Sequence, residues 1–188
     1  MIMLQSPSLV INSCDVPWPR YRMWETVNGD EGMTPDAVVR EIIRVNRLAL
    51  EHEQSPLANV VINCHGAVGG GALYTGGLDD SAARINVSRV NEFSLLKKRN
   101  IGTIWLVACQ AAAGGLGKQL YQALAVACGS QVVAGDEDQD TGFWGGFRIV
   151  QGGGRGQIDE FEGTVYSFLP NGTMREIDPH EDIFTIME

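Results

Sequence analysis

Apolar runs alternate with amphipathic segments along most of this chain, and each kind predicts its own element. Residues 9–12 form a short apolar run bounded by Pro7 and the turn-forming Asp15-Val16-Pro17, which predicts a buried strand. The segment through Met33 carries Pro17, Pro19, Gly29 and Gly32, with Trp18, Tyr21 and Trp24 among polar residues, and reads as a long surface loop. Thr34 is a good N-cap with Pro35 at the first helical position. Val38, Val39, Ile42, Ile43, Val45, Leu48 and Ala49 follow at helical spacing, predicting an amphipathic helix to about His52. Residues 58–63 are continuous and β-branched, as a strand buried on both faces requires, and end at Cys64-His65-Gly66. A glycine-rich loop over 69–78, a helix over 87–98 with a basic end, and a buried strand over 103–108 ending at Cys109 come next.

An Ala- and Leu-rich stretch over 115–128 predicts another helix, and 131–134 a short strand running into Gly135-Asp136-Glu137-Asp138. This alternation predicts an α/β domain with a mainly parallel sheet and helices on both faces. The texture changes from Phe143 onward. Asn171-Gly172 between two alternating runs is a strong hairpin signal, so residues 143–188 are expected to form a β-rich appendage on one edge of a 1–142 core. A length of 188 residues fits one domain.

Charge and cysteine usage narrow the function classes. Fourteen Lys and Arg against 23 Asp and Glu give a net charge of −9, which repels phosphate backbones and anionic lipid, so neither nucleic acid nor a membrane is an expected partner. No stretch approaches the about 20 apolar residues of a membrane span, and residues 1–10 lack a basic start and a long apolar segment. Cys14, Cys64, Cys109 and Cys128 form no CxxC and no disulfide framework, which suits reduced thiols and a cytoplasmic setting. The glycine loops do not bind nucleotide: around Gly117-Lys118 a P-loop would need glycine at Ala112 and a hydroxyl at Gln119, and residues 66–71 do not match GxGxxG. No cofactor is implied.

The sharper signal is a pair of strand ends. In a parallel sheet, side chains that do chemistry gather beyond the carboxyl ends of the strands, and His65 and Cys109 both follow such ends. Neighbouring strands lie about 4.8 Å apart, so the two residues can share one substrate. A thiolate is the nucleophile and an imidazole can accept or return its proton, the minimum apparatus for acyl transfer. Gly66, without a Cβ, can bring its N–H close to a developing oxyanion.

A buried strand ending in His-Gly, followed tens of residues later by one ending in Ala-Cys, resembles the caspase-like clan of cysteine peptidases, which includes caspases, metacaspases, clostripain, gingipains and self-cleaving RTX-toxin protease domains. The match runs through Val60-Val61-Ile62-Asn63-Cys64-His65-Gly66 and Ile104-Trp105-Leu106-Val107-Ala108-Cys109-Gln110, within roughly 59–142. Val107 stands where caspases have Gln, and Ala111 where they have Gly, so the likeness is to the clan and not to caspases proper. It implies a three-layer α/β sandwich and a cysteine endopeptidase acting on protein or peptide, with His65 and Cys109 as the dyad and the Gly66 and Cys109 N–H groups as the oxyanion hole. The alternative, from a different class, is a catalytically silent caspase-like fold serving as a protein-interaction module.

Other residues carry competing readings. Cys64 should point away from His65 as packing, Cys128 should be inert in its helix, and Cys64, His65 and Cys109 lack ordinary zinc-ligand spacing. Asp15 has three uses open to it: orienting His65, fixing a basic substrate side chain, or capping its own turn. Asp136, Glu137, Asp138 and Asp140 either face the same rim, favouring Lys or Arg in the substrate, or form a solvated loop. They do not make a calcium loop, since Thr141 and Phe147 occupy the turn-glycine and terminal-glutamate positions, although looser calcium binding stays open. Many relatives read an acidic residue before the scissile bond with Arg; Val107 and the acidic rim speak against that preference. Trp105 belongs to the core, whereas Trp18, Trp24 and Trp144 either line a peptide groove or pack. Arg155, alone among Gly152-Gly153-Gly154 and Gly156, is a candidate self-processing site.

Overall fold

The structure is a computed structural model, and it describes residues 1–16, 20–139, 143–144, 147–148 and 155–180. In chain order the first half holds β1 (Ile2–Met3), β2 (Ser8–Asn12), β3 (Glu25–Asn28), α1 (Pro35–His52), β4 (Asn59–Asn63), β5 (His65–Gly66), β6 (Ala72–Tyr74), a 3₁₀ turn (Ser81–Ala83) and β7 (Arg84–Asn86). The second half holds a 3₁₀ helix (Val87–Leu96), β8 (Thr103–Val107), α2 (Gly114–Cys128), β9 (Gln131–Gly135), β10 (Phe143–Trp144), β11 (Phe147–Arg148), β12 (Gln157–Ile158), β13 (Val165–Phe168) and β14 (Met174–Glu176). The fold is mixed α/β around a seven-stranded sheet in the order β14-β13-β9-β8-β4-β2-β3. Strands β3, β2, β4, β8 and β9 run parallel, and β13 pairs antiparallel with both β9 and β14.

Period-two alternation sorts the sheet into two faces. Leu9, Val60, Ile104 and Val132 form one cross-strand row, and Ile11, Ile62, Leu106 and Ala134 another; both face the helices, against Val39, Ile42 and Val45 of α1, Phe93, and Leu120 and Leu124 of α2. Val10, Val61, Trp105 and Val133 form a row on the opposite face. There the cover is Ile2, Leu4, Tyr21, Met23, Ile158 and Phe161, whose ring stacks on Trp105 with centroids 6.3 Å apart. Trp105 is thus core, as expected.

The expectation of helices on both faces is corrected: α1, the 3₁₀ helix and α2 all pack on one face, and the other is covered by short strands and irregular chain. Strand-crossover-strand units are right-handed, and the connections from β3 to β4, β4 to β8 and β8 to β9 all step the same way along the sheet. Only the step from β2 to β3 runs the other way, and it carries Tyr21 and Met23 instead of a helix.

Three further expectations are corrected. The loop read through Met33 contains β3, an edge strand whose residues alternate half-buried and exposed and whose Glu and Asn hid it. The predicted helix over 87–98 is a 3₁₀ helix: its buried residues, Val90, Phe93 and Leu96, recur every three positions, which matches three residues per turn. The glycine loop over 69–78 contains β6, which joins β5 and β7 in a small antiparallel sheet with Leu73 and Ile85 facing the core. The C-terminal hairpin forms as expected, Gly172 taking φ 89° while the Asn171 side chain accepts from the Thr173 N–H. Through β13 it continues the main sheet.

Helix α1 is tied to the sheet by one buried side chain. Asn46 Oδ1 accepts the Leu57 N–H at 2.8 Å and its Nδ2 donates to the Arg99 carbonyl at 3.3 Å, so one amide joins the approaches to β4 and β8. Asn46→Ala should therefore lower the unfolding free energy by about 1–3 kcal/mol, because the buried Leu57 N–H loses its acceptor. Urea-induced unfolding measures this.

Candidate active site

The carboxyl ends of β2, β4 and β8 finish level, with Asn12, Asn63 and Val107 in one cross-strand row. Asn63 Nδ2 donates to Asn12 Oδ1 at 2.9 Å, and Asn12 Nδ2 to the Tyr21 carbonyl at 3.1 Å, which locks the first two of these ends together. Two residues beyond Asn63 and Val107 come His65 and Cys109, both half-buried.

The strand ends meet through backbone. The Cys64 N–H donates to the Val107 carbonyl at 3.1 Å, and Gly66 lies so close to Cys109 that a Cβ there would sit 1.8 Å from the Cys109 carbonyl oxygen. Gly66 is therefore required sterically. The Ala67 N–H bonds to the Ala72 carbonyl, and bonded and non-bonded pairs alternate along an antiparallel ladder. Gly66 and Leu73 are then a non-bonded pair, so the Gly66 N–H points away from β6, while the face of Gly66 that would carry a Cβ lies against Cys109. Among the described residues the Cys109 N–H has no hydrogen-bond partner.

His65 is oriented by backbone as well. Its Nε2 lies 3.1 Å from the Asp15 carbonyl oxygen. A carbonyl only accepts, so Nε2 carries the proton and Nδ1 is left as the acceptor. Arg20 donates to the neighbouring Cys14 carbonyl at 2.6 Å and steadies this turn. The Cys109 thiol donates weakly to the Gln139 carbonyl, with Sγ at 3.9 Å.

The other thiols are set apart. Cys64 is buried on the helix side of the sheet, where burial and then the neighbouring Cys109 push its pKa up to about 12. Burial also raises that of Cys128. Cys14 is half-buried, and its thiol is raised by burial and by its hydrogen bond to the Asp15 carboxylate.

The structure separates the candidate carboxylates. Asp15 orients His65 with its main chain, and the residue also lines an open cavity of about 610 Å³ together with Glu31, Asp79 and Asp80. Asp136 accepts from the Thr164 N–H at 2.8 Å and the Tyr166 hydroxyl at 3.4 Å, which occupies it in joining β9 to β13. Asp138 stays near Cys109, but its Oδ1 takes a hydrogen bond from Gln110. Val107 packs against the loop-side core. Asp140 lies outside the described residues. Trp24 packs against the helix-side core and donates to Glu53; Trp18 and the Trp144 side chain lie outside the described residues. Arg155 is pinned by its own side chain, donating to the Met23 carbonyl at 2.9 Å and the Trp24 carbonyl at 2.6 Å, so a cut there must first break these bonds.

Sequence reasoning missed Glu31, Asp79 and Asp80, which come from the loop that hid β3 and the loop that hid β6. The signal was an Asp pair one residue after Gly76-Gly77, on the same connection as His65. It also missed Gln110 and Gln139. A second cavity, about 510 Å³, is lined by Ile2, Phe161, Ile177 and His180 among others and holds none of the rim groups. Among the described residues no three His, Cys, Asp or Glu side chains are placed to hold a metal ion, and no helix is long and apolar enough to cross a membrane. Comparison of the sequence with known protein families and with characterised proteins finds no match.

Alkylation of the folded protein with iodoacetamide near neutral pH should modify Cys109 first. Cys14 should follow only as the pH rises, because its raised pKa delays the thiolate. Asp15→Asn removes one cause of that shift and should move Cys14 labelling to lower pH, as read by peptide mass mapping.

Proposed function

We propose that this protein is a cysteine endopeptidase with a caspase-like three-layer arrangement, in which Cys109 is the nucleophile and His65 the general base. The observation that carries the reading is the contact of the His65-Gly66 and Cys109 backbones, with His65 held through Nε2 so that Nδ1 is the basic nitrogen. The thiol passes its proton to Nδ1, and the thiolate attacks the scissile carbonyl carbon. The resulting oxyanion is held by the Gly66 and Cys109 N–H groups. Imidazolium returns the proton to the leaving amine, giving a thioester. Water, deprotonated by the same nitrogen, then hydrolyses it and regenerates the thiol.

The cavity bordered by Asp15, Glu31, Asp79 and Asp80 suits a Lys or Arg side chain before the scissile bond, since Asp15 also holds His65. This moves the basic preference from Asp136 and Asp138 to a different set of carboxylates. A catalytically silent interaction module is the second reading, favoured by the Cys109 thiol turning to the Gln139 carbonyl.

Cys109→Ala and His65→Ala should each abolish peptide hydrolysis while shifting the thermal midpoint little, because truncating one half-buried side chain at a strand end removes little packing. Turnover retained in purified Cys109→Ala would remove the peptidase reading, and an inactive wild type across a broad peptide library would leave the module.

In the same library, Arg and Lys before the scissile bond should exceed Leu and Asp, with the gap narrowing at high salt. Asp79→Asn combined with Asp80→Asn should reduce the Arg-over-Leu ratio by roughly ten-fold, the size of a modest specificity term. A wild-type preference for Asp would count against the acidic cavity.

A further inference from the structure

The residue after the nucleophile has an unusual backbone and a fully committed side chain. Gln110 has φ 50°, in the left-handed region that non-glycine residues seldom occupy. Its N–H donates to the Glu137 carbonyl at 2.8 Å, and its carbonyl accepts from the Ala113 N–H at 3.0 Å. Its side-chain Oε1 accepts the Gly69 N–H at 2.7 Å, and its Nε2 donates to Asp138 Oδ1 at 3.0 Å. The two partners fix the amide's orientation, since an N–H needs the oxygen and a carboxylate needs the NH₂. Glutamate could not donate to Asp138, a basic side chain could not accept from Gly69, and asparagine is one methylene short.

Gln110 therefore joins three segments distant in sequence. Gly69 belongs to the loop that follows His65-Gly66, and Glu137, Asp138 and Gln139 to the loop after β9, whose Gln139 carbonyl takes the Cys109 thiol. Between them lies the Cys109 N–H, which has no partner among the described residues. Glycine at position 110 would adopt the same φ without strain, so the stability of the turn does not account for Gln there. Both side-chain bonds are solvent-exposed, where a hydrogen bond contributes little to folding.

We propose that Gln110 is a positioning residue that clamps the glycine loop after His65 and the acidic loop after β9 onto the nucleophile, holding the Cys109 N–H where the oxyanion forms. The proposal rests on the peptidase reading and adds to it a device that sets the geometry of the oxyanion site. It predicts that activity and stability separate at this position.

The test compares wild type with Gln110→Gly, using labelling of Cys109 by a thiol-directed peptidyl probe, peptide hydrolysis, thermal unfolding and hydrogen exchange at the Gly69 amide. In Gln110→Gly the thermal midpoint should stay level or rise, and Gly69 exchange should speed up. The labelling rate and kcat should fall by roughly ten-fold or more, with KM nearly unchanged, as small misplacements of a reacting group do. Gln110→Glu should lose a similar factor, because it sets a second carboxylate against Asp138. Combining it with Asp138→Asn should restore most of the activity, since the new amide can donate to the new carboxylate. An unlabelled wild-type Cys109 would sink the peptidase reading and take the clamp's catalytic role with it. A labelled wild type beside an equally labelled Gln110→Gly would sink the clamp alone, as would unchanged Gly69 exchange or failure of the double substitution to recover.

Discussion

The handedness of strand crossovers is the constraint from which the rest of this architecture follows. Because three successive connections step the same way along the sheet, their helical segments must share a face, and the opposite face is left to chain without helices. The parallel strands then deliver their carboxyl ends to one rim. Loops after β2, β4, β8 and β9 meet there although 15, 65, 109 and 138 are far apart in sequence. The rim's residues are brought together by topology, and the packing that enforces it lies elsewhere, in the cross-strand rows centred on Val61 and Trp105.

Backbone does most of the positioning at that rim. A main-chain carbonyl at Asp15 decides which nitrogen of His65 is basic, the Gly66 and Cys109 main chains touch, and the Gln139 carbonyl meets the thiol. The His65-Gly66 main chain is set by its pairing with β6, and Asp15, Cys109 and Gln139 follow the ends of β2, β8 and β9, so the geometry depends on where those strands end. Substitution at Gly66 is consequently more disruptive than its solvent contact suggests: even one methyl group would overlap the Cys109 carbonyl.

Much of this was readable from the sequence. The apolar runs located β2, β4, β8 and β9 within a residue or two, because strands buried on both faces cannot avoid continuous β-branched composition, and α1 declared itself through Thr34, Pro35 and its periodic stripe. What escaped had weaker local signals. Strand β3 owes its existence to pairing with β2, not to its own Glu25-Thr26-Val27-Asn28. The small sheet hides in a glycine-rich stretch because only Leu73 and Ile85 in it face the core. The 3₁₀ helix passes for an α-helix in composition and differs only in the spacing of Val90, Phe93 and Leu96. His65 and Cys109 could be singled out because strand ends are visible in sequence; Gln110 could not, since its role depends on Gly69 and Asp138, which only the fold brings near.

The carboxylates show the same difference between sequence and space. Asp136 to Asp140 is the densest acidic run in the chain, yet Asp136 is occupied by Thr164 and Tyr166, and Asp138 by Gln110. On the helices, Asp36, Glu41 and Glu92 are likewise matched by Arg40, Arg44 and Arg89. Among the described residues, Asp15, Glu31, Asp79 and Asp80 have no cationic partner, although they converge on one cavity from three separate loops. Like charges held together by folding repel one another and destabilise the native state. Under the peptidase reading proposed above, Asp15, Glu31, Asp79 and Asp80 are the groups that a basic substrate side chain entering this cavity would meet.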